Sequence, residues 1–309
     1  MKHLAALAFA LLCPVFGWAQ YNSYTAYAVG TAPSYEGLWW NPSESGWGVS
    51  LAHQGDVLFA VWYTYDHDGE PTWFFMDNAR LVGDDIGDMM GMMDMSMMGM
   101  VKNAPMYTGS LYRSSKVGGR VVMTEVGMAT FLFKDKDHAA FAYTVGNVSQ
   151  SKNISRMAFA QADQQCTLGG DTKALATNFQ DLWWNPSDSG WGVNIAHQVD
   201  NRGDALFATY YTYDADGKGV WYAMSDVREF DMMSATLRGF GGVLYRGTGP
   251  SFDSAWDSSK VHVTAVGSGE FRFDATGHAE FGATPFGNPT AARRDMTRMQ
   301  FAAPASVCH

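Results

Sequence analysis

Eight methionines stand within the twelve positions from Met89 to Met100. They are Met89, Met90, Met92, Met93, Met95, Met97, Met98 and Met100, separated only by Gly, Asp and Ser. Thioethers are soft ligands that suit Cu(I), and they need no deprotonation before they bind. Asp84, Asp85, Asp88 and Asp94 add attraction for cations. Methionine is a sensible sulfur ligand in an oxidising compartment, where free thiols are unreliable. The same side chains could form an adaptable apolar surface for a peptide or lipid, or a biased loop that is a sacrificial target of oxidation. Soft-metal binding, with Cu(I) as the cofactor, is the expected role.

A second set of chemically capable residues occurs twice. Trp39, Trp40 and Trp47 in "WWNPSESGWG" return as Trp183, Trp184 and Trp191 in "WWNPSDSGWG", and His53 returns as His197. Indole rings in such a block can plug the end of a β-barrel, each N–H finding a carbonyl. Alternatively they form platforms that stack a sugar or another flat ligand, with the histidines beside them. Asp66, Asp68 and His138 recur as Asp214, Asp216 and His278, so a base with its orienter or a metal site is conceivable. Nothing local enforces that geometry. There is no H-x-x-x-H, and Ser45 in "SESGWG" lacks the first glycine of a nucleophile elbow. Glu44 and Asp188 give one acidic position per copy, which makes a glycosidase pair only if the copies face each other.

These residues sit in a duplicated unit. "LFAVWYTYDHDGEPTWFFM" from Leu58 returns as "LFATYYTYDADGKGVWYAM" from Leu206, "SLYR" as "VLYR", and "SRMAFA" as "TRMQFA". Each unit of roughly 130 residues has the size of a domain rather than of a solenoid repeat. Short runs such as "GVSLAHQ", "PTWFFMDN", "RVVMTEV", "HAAFAYTV" and "SRMAFA" are rich in β-branched and aromatic residues and read as strands. "DHDGEP" and "DADGKG" carry Asp-Gly turn chemistry between aromatic strands. The expected fold is all-β, two homologous antiparallel barrel or curved-sandwich lobes. Residues 36–166 form the first repeat, 167–179 the linker and 180–309 the second repeat. Trp73 and Leu111 are 38 positions apart and their counterparts Trp221 and Leu244 are 23, so the first repeat carries about fifteen extra residues, which the methionines fill.

The start of the chain, "MKHLAALAFALLCPVFGWAQ", has the form of a secretory signal peptide cleaved after Ala19, with 20–35 an N-terminal extension. A periplasmic or secreted product with no integral membrane segment follows. Cys166 and Cys308 each lie ten residues after the Arg of the repeated "SRM" or "TRM" and are expected to form a disulfide, as equivalent residues near a pseudo-two-fold axis can meet. A net charge of −10 argues against nucleic acid as a partner.

The repeats resemble a family of secreted bacterial proteins whose units read "WWNP-x-x-SGWG…HQG-D-x-LF…TYD-x-DG" and close with "SK-x-I-x-R-x-x-F", here "SKNISRMAF". The resemblance covers nearly all of the mature chain and implies export and the repeat unit; it brings no activity with it. The methionine insertion departs from the pattern. The resulting expectation is an exported, non-enzymatic binding protein whose Met-rich loop takes Cu(I). The alternatives are a carbohydrate or surface-ligand module using the Trp platforms, and a hydrolase with a site between the lobes.

Overall fold

A computed structural model describes residues 32–82, 104–160, 166–170, 178–287 and 293–308. The expected leader and the methionine insertion lie outside the described residues. The described chain is antiparallel β-structure with a single 3-10 turn at Ser258–Lys260.

The first repeat contributes β2 (Gly37–Trp40), β3 (Gly48–Gln54), β4 (Val57–Tyr65), β5 (Pro71–Leu81), β6 (Met106–Val117), β7 (Arg120–Phe133), β8 (His138–Val145) and β9 (Val148–Arg156). Each pairs with the next, and β2 also pairs with β9, so the pairings close a ring. The second repeat does the same with β11 (Asp181–Trp184), β12 (Gly192–Asp200), β13 (Gly203–Tyr213), β14 (Gly219–Phe230), β15 (Leu237–Thr248), β16 (His262–Asp274), β17 (His278–Pro285) and β18 (Arg293–Arg298), a closed barrel. Closure removes the free edges that an open sheet would expose.

The burial pattern explains the sequence of β4. "VLFAVWYTY" is apolar on both faces. Leu58, Ala60 and Trp62 join the core of the first barrel, whereas Val61, Tyr63 and Tyr65 join a second cluster with Tyr211 and Trp221 of the other lobe. A strand buried on both sides loses its polar alternation. The interior of each barrel is a phenylalanine stack, Phe131, Phe133 and Phe141 in one and Phe271, Phe273 and Phe281 in the other, all fully buried.

The Asp-Gly turns fold as expected. Asp66 N–H donates to Glu70 O at 2.9 Å, and Asp66 Oδ1 accepts from the N–H groups of Asp68 and Glu70 at 3.0 Å each. Gly69 has φ 76° and Gly217 has φ 79°, a conformation in which a Cβ is strained.

Two sequence expectations need correcting. The strand placed on "SRMAFA" runs instead over Val148–Arg156, so the polar "VSQSKNIS" is strand and Met157–Ala160 lie beyond it. The segment read as linker begins with a strand, β10 (Cys166–Gly170), which pairs with β1 (Ala32–Pro33) on one side and β19 (Ala305–Cys308) on the other. Short strands of low apolar content form there because a neighbour supplies their hydrogen bonds. Cys166 and Cys308 are directly opposed in that ladder and joined by a disulfide with a Cα–Cα distance of 4.0 Å.

Candidate functional site

The duplicated indoles close each barrel. Trp39 on β2 is opposite Arg156 on β9, and Trp183 on β11 is opposite Arg298 on β18. Each guanidinium lies over its indole, at 4.9 Å and 4.6 Å from the ring centroid. Each indole N–H donates to a backbone carbonyl four residues upstream, Tyr35 O or Phe179 O, at 3.0 Å. The repeated Trp and the repeated Arg are therefore two halves of one barrel seam, and the cation–π contact contributes about 0.5–2 kcal/mol. Trp39 is 0% exposed, Trp183 1%, Trp47 4% and Trp191 6%. Four of the six duplicated indoles are thus buried; Trp40 and Trp184 are half-buried.

The environments of Trp47 and Trp191 differ. Trp191 N–H donates to Asp188 Oδ2 at 3.1 Å, and Arg294 lies 5.0 Å from its ring. Glu44, which stands where Asp188 does, pairs with Lys152 at 3.0 Å. Trp47 meets Trp256 of the other lobe at 6.3 Å between centroids. That contact belongs to a plug. Phe252, in the long β15–β16 connection, packs into the first barrel against Phe74 and Trp62, and Tyr143 Oη donates to its carbonyl at 2.7 Å. The corresponding β6–β7 connection is a tight turn at Gly118 and Gly119.

The histidines are buried struts. His53 Nδ1 accepts from Tyr35 N–H at 3.1 Å, and His197 Nδ1 accepts from Phe179 N–H at 3.0 Å. A neutral ring whose Nδ1 accepts carries its proton on Nε2. In the first lobe Nε2 lies 3.1 Å from Tyr107 Oη, and in the second it lies 3.2 Å from Asp204 Oδ1. Burial lowers the pKa of His197 despite the opposing pull of Asp204. His53 pairs across the ladder with Leu58, while Asp66 follows Tyr65 at the far end of the same strand. The expected base and orienter therefore stand at opposite ends of the β3–β4 hairpin. His138 and His278 are exposed, beside Asp135 at 3.0 Å and Asp295 at 3.3 Å.

The glutamines that follow the two histidines latch the lobes together. Gln54 Oε1 accepts from the N–H groups of Phe301 and Ala302, and its amide donates to Met299 O, at 2.8–3.0 Å. Gln198 holds Phe159, Ala160 and Met157 in the same way, each bond 2.9 Å. The repeated "HQ" of each lobe thus binds the repeated "RM-x-FA" of the other. Tryptophans repeat the exchange: Trp73 N–H donates to Thr212 O at 3.3 Å and Trp221 N–H to Thr64 O at 2.8 Å. Reciprocal contacts between equivalent residues define a pseudo-two-fold axis. Residue type alone does not reveal this latch, although the sequence carries its signal: the Gln, Trp and "FA" positions recur in both repeats.

No family model, no curated protein and no solved structure matches the chain.

Among the described residues no three His, Cys, Asp or Glu side chains gather to hold a metal ion, and no helix is long and apolar enough to cross a membrane. The eight candidate thioether ligands, Met89 to Met100, lie outside the described residues. Their anchorage is described. Leu81 on β5 pairs with Tyr107 on β6, Val82 N–H donates to Met106 O at 2.7 Å, and Phe133 N–H donates to Pro105 O at 3.0 Å. The insertion therefore leaves and re-enters the barrel at adjacent points. Its counterpart in the second lobe is residues 231–236, joining β14 to β15.

Proposed function

We propose that this protein is an exported, non-enzymatic binding protein whose methionine-rich insertion captures Cu(I) or a similarly soft metal. The observation that carries the reading is the contrast between the lobes at one junction. β14 and β15 are joined by six residues, while β5 and β6 are zipped up to the base of an insertion that has no counterpart of its length in the second lobe. Eight thioethers concentrated where the second lobe makes the same connection with six residues call for a chemical reason, and soft-metal ligation supplies one. Neutral thioethers release no proton on binding, so capture persists at acidic pH where histidine sites fail. Burial of Trp39, Trp47, Trp183 and Trp191 weighs against a carbohydrate module, and the separation of His53 from Asp66 weighs against a hydrolase.

The test replaces Met89, Met92, Met95 and Met98 with Leu in the mature protein. Leucine keeps the apolar surface and removes the sulfur. Cu(I) competition against a chromogenic chelator should show weaker binding by the variant, and a Cu(I) affinity equal to the parent's would refute the proposal.

A further inference from the structure

We infer that the cleft between the lobes beside Arg113 and Lys218 is a binding site for a small, multiply charged oxyanion such as a dicarboxylate or phosphate. The argument rests on a broken symmetry. On one side of the pseudo-two-fold axis, Arg246 of "VLYR" pairs with Glu70 of the first lobe's Asp-Gly turn, Nη2 to Oε2 at 2.5 Å. On the other side the equivalent arginine is Arg113 of "SLYR", and the equivalent turn residue is Lys218. The carboxylate that would neutralise Arg113 has been replaced by an ammonium. Lys218 reaches Asp66 instead, and among the described residues Arg113 has no ion-pair partner.

This side opens into a cleft of about 240 Å³ lined by Thr72, Arg113, Ser114, Lys116, Asp216 and Lys218 among others. Arg113, Lys116 and Lys218 line it with Asp216, and with Asp66 bound to Lys218 the site holds three cations against two carboxylates, in a chain whose net charge is −10. The walls are built rather than incidental. Lys116 N–H donates to Gly217 O at 2.8 Å, and Ser115 bridges Lys218 across the lobes. A Cβ on Gly217 would come within 1.9 Å of Lys116 O, so the backbones touch there. The Arg113 guanidinium is steadied 4.9 Å above the Phe74 ring. Cations gathered around one cleft bind oxyanions through charge-assisted hydrogen bonds. The volume is below the ~300–1,000 Å³ of sites for drug-sized ligands, so the ligand has few carbon atoms.

Titration calorimetry of the mature protein with succinate and, separately, with inorganic phosphate tests the site. Saturable binding of one probe identifies the carboxylate or phosphate class, and saturable binding of both assigns a general oxyanion site. Arg113→Gln should weaken binding about tenfold to a hundredfold. Lys218→Glu rebuilds the pairing already present at Glu70 and Arg246, so it should fold and lose binding as well. Arg246→Gln, on the paired side, should leave affinity unchanged. Absence of saturable heat with either probe, or equal loss in Arg246→Gln and Lys218→Glu, would overturn the assignment.

Discussion

At the scale of single residues, the side chains best suited to chemistry are occupied with holding the protein together. His197 illustrates the point and carries a pH prediction. Burial, the largest influence, lowers its pKa below the ordinary value of about 6.5, while Asp204 pulls it up and Arg238 and Arg298 push it further down. The unfolded chain then binds the proton more readily than the folded one. Stability from this group is complete above about pH 6.5 and is lost as pH falls through the lower folded value. Melting temperature should therefore drop on acidification from neutrality. His197→Gln should flatten that slope while lowering the melting temperature at pH 7; an unchanged slope would show that the ring binds its proton equally well in the folded and unfolded states. Asp66 and Asp204, whose folded pKa values are also lowered against the upward push of burial, lose their contribution only at lower pH, in the carboxylate range. Gln198 gives a second test. Its amide makes three bonds to the segment Met157–Ala160, and Gln198→Ala leaves those half-buried backbone groups without it. Urea unfolding should show a loss of about 2–3 kcal/mol, and a loss within error of zero would mean that water replaces the amide.

At the scale of elements, the short β14–β15 link leads to the expectation that the insertion between β5 and β6 can be removed without loss of the barrel. Shortening residues 83–103 to the length of the β14–β15 link changes loop closure by about 1 kcal/mol or less. The melting temperature of such a variant should stay within a few degrees of the parent; a large drop would show that the methionines pack against the barrel. The same junction shows what the sequence could and could not convey. The strands themselves were legible, because "VLFAVWYTY" and "ATFLFKD" have the composition of buried strands and the Asp-Gly turns fix their hairpins. β9 and β10 were not legible, because "VSQSKNIS" and "CTLGG" owe their conformation to neighbouring strands rather than to their own apolar content. For Trp39 and His53 the sequence leaves a structural and a ligand-binding role open for a related reason. Residue type announces that an indole or imidazole can stack or ligate, while only the three-dimensional pairing with Arg156 or Tyr107 shows that it is engaged.

At the scale of the whole molecule, the repeated residues build a pseudo-symmetric pair of barrels, and both proposed binding sites are places where the copies differ. The Cys166–Cys308 disulfide joins equivalent positions 142 residues apart and so ties the end of one repeat to the end of the other. Chain-entropy reasoning gives such a closure a stabilisation of about 5 kcal/mol at most. Reduction, or Cys166→Ser with Cys308→Ser, should lower the unfolding free energy by up to that amount without changing the far-ultraviolet spectrum; equal stability of the oxidised and reduced forms would show that the ladder of β10 and β19 alone suffices. The copper reading makes the sharpest claim, because it assigns function to the largest departure from symmetry. Its most direct measurement is the Cu(I) affinity of the mature protein and of the variant lacking the insertion, by chelator competition under reducing, anaerobic conditions. The account predicts that the parent competes for Cu(I) at neutral and at mildly acidic pH, and that the deletion variant, still folded, does not. Equal Cu(I) affinity in the two proteins would contradict it.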